Sequence, residues 1–254
     1  MITFLTIFLT GIFSGFVDAI AGGGGLIMIP GLIVIGMPVT SAIGTNKLCG
    51  TFGALTSSLK FGKEKQVNWR ACLYMGIPAV IGSFFGSRSL NFLPKGLAEP
   101  VVILLLIFIT LFVLFKPDFG ERKVEKHLLT VEYNWIKALK LLGLGLIIGF
   151  HDGFFGPGTG TFIVFALVSV LKLDFLQGTG TAKVINLMTN VAALLSFLLI
   201  GNIKFTEGTI GAFGVIIGAY VGSSFATKKG SKFIKPIFVT ITLILIGKLL
   251  LGYI

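Results

Sequence analysis

Two lysines and two aspartates stand at matching places in an otherwise apolar chain. Lys47 lies in Gly44-Thr45-Asn46-Lys47 and Lys183 in Gly180-Thr181-Ala182-Lys183. Asp18 and Asp152 each precede a glycine-rich break by four residues, in GFVDAIAGGGG and GFHDGFFGPGTG. An ionised side chain in lipid costs several kcal/mol unless it is paired or hydrated. An amine so placed could hold an anion or neutralise a carboxylate. Snorkelling to an interface is the plainer reading for a long lysine stem, but recurrence at a second, equivalent place argues against it. The aspartates could orient the lysines in a structural pair or carry protons, and both readings stay open.

The breaks themselves are the second chemical feature. Gly22, Gly23, Gly24 and Gly25 precede one apolar segment; Gly156, Pro157, Gly158, Thr159 and Gly160 precede another. A helix start leaves unpaired N–H groups and about half a positive charge. Glycine lets an anion reach those donors without a Cβ in the way. The breaks therefore read as a pair of anion cradles, against the simpler reading of tight helix-to-helix turns. The expected binding set is Gly22 to Gly25, Thr45, Asn46 and Lys47 from the first place, with Gly156, Gly158, Thr159, Thr181 and Lys183 from the second. Asn186 and Asn190 are as readily interhelical glue as ligands. His151 has no counterpart, since Val17 occupies that place, and reads first as a packing residue.

Other chemistries find no support. Cys49 and Cys72 are the only cysteines, without disulfide or metal spacing. No Ser/His/Asp arrangement is present, so neither an enzyme nor a cofactor is expected. The basic loops lack interleaved aromatics, so a nucleic-acid partner is not expected either.

The elements that must position these residues are membrane helices. Of 254 residues, 54% are hydrophobic and 12% charged, about half the charge of a soluble domain. The mean hydropathy is +0.98. The net charge of +11 sits in short loops, as in membrane proteins oriented by cytoplasmic Lys and Arg. The N-terminal segment has no basic residue before Lys47 and recurs mid-chain, so it reads as mature structure rather than a signal peptide.

The chain is duplicated. At an offset of 134, Gly11, Gly15, Phe16, Asp18, Gly22 and Gly24 fall on Gly145, Gly149, Phe150, Asp152, Gly156 and Gly158. At 136, Gly44, Thr45, Lys47, Gly82, Gly86 and Ser87 fall on Gly180, Thr181, Lys183, Gly218, Gly222 and Ser223. The halves are 1–116 and 137–254, joined by a charged linker, 117–136, expected to be cytoplasmic. Apolar segments predict elements at about 2–20, 25–37, 41–60, 68–90 and 98–116, then 137–155, 160–171, 178–200, 206–226 and 233–252. The second element of each half is too short for the ~30 Å hydrocarbon core and reads as a half-helix. Gly11/Gly15, Gly82/Gly86, Gly145/Gly149 and Gly218/Gly222 read as close-packing faces.

Basic residues crowd loops 60–70 and 228–235, which are not equivalent by repeat. Positive-inside logic puts both in the cytoplasm, which inverts one half relative to the other. Inversion fits three spans plus a re-entrant pair per half, or five spans. Eight spans in parallel halves is the alternative. The fold class is thus an all-α polytopic bundle of two homologous halves, expected to be inverted, with glycine-rich breaks.

GFVDAIAGGGGLIMIP with AIGTNK, and GFHDGFFGPGTG with GTAK, resemble the TauE/SafE family of sulfite exporters. The resemblance spans nearly the whole chain. It implies a multi-pass permease of the cytoplasmic membrane that exports a small anion such as sulfite or an organosulfonate. Carried over by residue, its site falls on Asp18, Gly22 to Gly25, Thr45, Asn46, Lys47, Asp152, Gly156, Gly158, Thr181 and Lys183. Pro157, Thr159 and Ala182 depart from the first half's pattern and make the half-sites chemically unequal. An anion channel of the same design and a membrane subunit of a larger complex are the alternatives. The partners expected are the bilayer and the anionic substrate; small-residue faces allow a homodimer without demanding one.

Overall fold

The computed structural model describes residues 2–89 and 133–230, with isolated positions between 234 and 247. The predicted fifth element of the first half and residues 117–132 of the linker lie outside the described residues. The predicted element 233–252 is described at scattered positions only. Every regular element described is helical. In the first half these are α1 (Ile2–Ala21), α2 (Gly25–Val34), α3 (Val39–Lys63), a short α4 (Trp69–Ala71), a π-helical turn (Cys72–Gly76) and α5 (Ile77–Ser89). The second half has α6 (Trp135–Phe154), α7 (Thr159–Leu171), α8 (Phe175–Ile200) and α9 (Phe205–Lys229).

Local signals fix the ends. The side chains of Asn68, Asn134 and Asp174 accept hydrogen bonds from the N–H groups of Ala71, Lys137 and Gln177, satisfying donors that a helix start leaves open. Gly201, in the left-handed region, closes α8. The π turn precedes Pro78, which has no N–H to offer the Tyr74 carbonyl, and the widened turn makes room for its ring. Among the described residues, α1, α8 and α9 are long and apolar enough to cross a bilayer. The 10 residues of α2 and the 13 of α7 reach about 15 and 20 Å, so neither crosses alone.

Each half grips the other in the same way. α1 packs along α9, and α6 packs along α5. Gly11 abuts the Gly211 carbonyl, while Gly145 abuts that of Met75. Gly15 meets Val215 and Gly149 meets Ala79; from the opposite side Gly218 meets Ile12 and Gly82 meets Leu146. Every one of these pairs maps onto its fellow by the offsets read from the sequence. The contacts are therefore exchanged reciprocally between the halves, as across a self-complementary interface. The predicted glycine faces are thus close-packing faces, where a side chain would strike backbone.

α3 and α8 pack together at the centre. Each half-helix is covered by both halves. Ile163, Val164 and Leu167 of α7 are buried with Phe61 and Met75 of the first half, as well as Phe175. Met28, Ile29 and Leu32 of α2 are buried with Phe197 and Val215 of the second.

Candidate functional site

The two glycine breaks touch. A Cβ on Gly160 would lie 2.5 Å from Gly22 Cα, so the main chains cross where no side chain fits. Thr161 Oγ1 donates to the Ala21 carbonyl at 2.7 Å, tying the start of α7 to the end of α1. Ser14 Oγ donates to the Gly24 carbonyl at 2.8 Å. Gly22 and Gly156 turn the chain with φ of +79° and +90°, in the left-handed region where other residues are strained.

The four ionisable residues form two ion pairs, and both pairs join opposite halves. Lys47 Nζ of α3 lies 2.9 Å from Asp152 Oδ1 of α6. Lys183 Nζ of α8 lies 2.8 Å from Asp18 Oδ2 of α1. Lys47 is 1% and Lys183 0% exposed. Burying an ammonium in this way is tolerable only with a carboxylate beside it. Gly156 makes one pairing possible, since a Cβ there would sit 2.9 Å from Lys47 Nζ.

A cavity of about 30 Å³ opens where the breaks and pairs converge, room for about two waters or a small ion. Of the predicted residues, Asp18, Gly22, Gly24, Gly25, Asn46, Lys47, Asp152 and Gly156 line it. Gly23, Gly158, Thr159, Thr181, Thr45 and Lys183 are not among its walls. Thr45 Oγ1 instead accepts the Lys204 N–H at 3.0 Å, and Thr181 Oγ1 accepts the Asn68 N–H at 2.9 Å. These hydroxyls tie each central helix to the loop entering the fourth element of the other half. Thr159 Oγ1 donates to the Gly156 carbonyl at 2.8 Å and closes the second break on itself. Lys183 reaches the cavity only through Asp18.

Asn186 and Asn190 both line the cavity, and Asn190 Nδ2 donates to Asn186 Oδ1 at 2.7 Å. His151 packs edge-on to Phe162, with Nδ1 3.3 Å from Thr159 Oγ1. Sequence reasoning missed Ser14, Cys49, Gly50, Gly160 and Val215 as cavity walls. Ser14 and Gly50 lie one helical turn from Asp18 and Asn46, so spacing of four residues was the available signal.

Two half-helices beginning at a buried, charged crossing, inside a bundle of spanning helices, define a multi-pass membrane transporter. Residues 7–249 match the family described as sulfite exporter TauE/SafE. A probable membrane transporter protein of Haemophilus influenzae is 35% identical over 96% of this chain and 92% of its own length. Probable membrane transporter protein ORF9 of a Sinorhizobium species is 35% identical, covering 96% and 91%. Probable membrane transporter protein YfcA of Escherichia coli K12 is 31% identical, covering 96% and 88%. No solved structure matches the chain. The chain belongs to the sulfite exporter TauE/SafE family.

Proposed function

We propose that the protein is a secondary transporter that carries a small anion, such as sulfite or an organosulfonate, outward across the cytoplasmic membrane. The observation that carries this reading is the cavity at the crossing of the breaks, walled by Lys47, Asn46, Asn186 and Asn190. Lys47 has three N–H donors and meets one acceptor, Asp152, among the described residues. Two donors are thus left for an anion. The starts of α2 and α7, at Gly24, Gly25 and Gly160, add the positive ends of two helix dipoles.

The two ion pairs cancel in charge, so an anion is held by donors and dipoles rather than by an excess of cations. Such binding is reversible, as transport requires. The halves are proposed to be inverted, with the cavity between them and access alternating as one half rocks on the other. Reciprocal packing of α1 on α9 and α6 on α5 supports this, as does the unequal charge of loops 60–70 and 228–235. Asp18 and Asp152 hold the lysines in place.

Uptake or release of labelled sulfite and sulfonates in proteoliposomes tests the reading. Lys47→Met is expected to abolish saturable flux. Full flux in the Lys47→Met, Lys183→Met double variant would end the role given to the amines. A resolvable unitary current in place of counter-transport would make the protein a channel.

A further inference from the structure

The two ion pairs are equivalent by repeat but unequal in surroundings. Asp18 uses both carboxylate oxygens: Oδ1 accepts the Gly24 N–H at 3.2 Å, and Oδ2 receives Lys183. Asp152 uses one. Its Oδ1 receives Lys47, while Oδ2 is buried with no hydrogen-bond partner among the described residues. The sequence explains the difference. The donor equivalent to Gly24 is Gly158, and Pro157 precedes it where Gly23 stands in the first half. Gly24 has φ −55°, whereas Gly158 has φ +81°, so the second break turns its N–H elsewhere.

Asp152 is 2% exposed and borders the cavity. Leaving a carboxylate oxygen buried and unpaired costs about 1–3 kcal/mol or more. The other charged groups of the cavity are Lys47, already on Oδ1, and Asp18, with Lys183 behind it. His151 precedes Asp152 in α6 and has its own Nε2 unpartnered. Lys47 pairs through Oδ1 and Lys183 with Asp18, so Oδ2 is a buried acceptor without a partner among the described residues, on a side chain that borders the cavity.

We propose that Asp152 Oδ2 selects singly protonated oxyanions over fully ionised ones of similar shape. The ligand's O–H donates to Oδ2, while Lys47 and the amides of Asn46 and Asn186 donate to its other oxygens; both N–H groups of Asn190 are spent on Asn186. A fully ionised oxyanion would bring a charged oxygen against Oδ2 with no proton between them. Sites built around one hydrogen bond to a hydroxyl reject analogues lacking it by large factors. This inference rests on the anion-site reading above and narrows it: hydrogensulfite carries the required O–H, whereas an organosulfonate is fully ionised and is expected to bind as weakly as sulfate.

Calorimetric titration of the purified full chain in detergent tests it, with sulfate as the fully ionised probe and phosphate and hydrogensulfite as protonated ones. At least about 100-fold tighter binding of a protonated probe than of sulfate is expected. Asp152→Asn, whose amide can donate to sulfate, is expected to bring the two within a few-fold. Asp152→Glu keeps the acceptor and is expected to keep the preference, which guards against a merely unfolded Asn variant. Asp18→Asn is expected to weaken all probes alike. Sulfate binding as tightly as the protonated probes, or an unchanged ratio in Asp152→Asn, would overturn the selection alone. Binding of no probe by the unaltered protein would overturn the anion site itself, and the selection with it.

Discussion

Lys47 of the first half and Asp152 of the second lie 2.9 Å apart, and Lys183 and Asp18 repeat that bond with the halves exchanged. Each break is therefore held by an amine supplied from the other half. This makes the pairs both walls of the cavity and fasteners of the fold.

Breaking the Lys47 pair from one side leaves a buried charge. Lys47→Met is expected to destabilise the protein by about 3–5 kcal/mol. Lys47→Met with Asp152→Asn removes both charges and is expected to recover most of that loss. Denaturant titration in detergent, arranged as a double-mutant cycle, measures the coupling. Additive losses would refute a direct pair.

The glycine faces can be tested by contrast within one helix. Gly149 lies against the Ala79 backbone, and Gly143 of the same helix has nothing within 4 Å of its would-be Cβ. Gly149→Ala is expected to cost about 1–3 kcal/mol through overpacking. Gly143→Ala is expected to be neutral, or to gain up to about 1 kcal/mol from helix propensity. Thermal melting of the two variants decides it.

The duplication was legible because lysine and aspartate are costly in lipid and glycine is fixed where helices pack closely, so all three stand out at a constant register. Offsets of 134 and 136 equated Lys47 with Lys183 and Asp18 with Asp152 before any coordinates. The offsets carry no information on whether a lysine meets the aspartate of its own half or of the other, because both arrangements have the same symmetry. The described helix ends came within about three residues of the apolar segments' bounds; α6 and α8 begin two and three residues before the expected 137 and 178, because Asn134 and Asp174 cap them there. The π turn at Cys72–Gly76 left no signal beyond Pro78. Thr45 and Thr181 were visible as polar residues in apolar segments. Their partners are backbone groups on loops more than a hundred residues away, which spacing cannot reveal.

High pH should loosen the point where the second half begins. Tyr133 is stacked on Tyr74, lies under Arg70 and donates to Asn68 Oδ1 at 2.9 Å. Burial pushes its phenol from the ordinary value of 10.0 up to about 12, against the opposing pull of Arg70. The native state thus holds this proton more tightly than the unfolded chain. Its contribution is full below about pH 10 and is lost as pH rises toward 12. Stability is expected to fall across that interval, and Tyr133→Phe is expected to flatten the fall. Melting temperature against pH for both proteins checks the sign.

The two central threonines separate architecture from recognition. Thr45 Oγ1 and Thr181 Oγ1 each accept a backbone N–H, from Lys204 and Asn68, and neither lines the cavity. Valine has nearly the same shape and removes only the acceptor. Each Thr→Val change leaves a backbone donor unpaired and is expected to cost about 1–3 kcal/mol of stability. Because each bond joins a central helix to the other half, the double variant is expected to lose roughly the sum. Transport is expected to keep its substrate KM, since no ligand contact is lost, while the amount of folded protein falls. Flux per folded molecule, set beside melting temperature, reads the two effects apart. A raised KM without a lower melting temperature would return both threonines to the binding set.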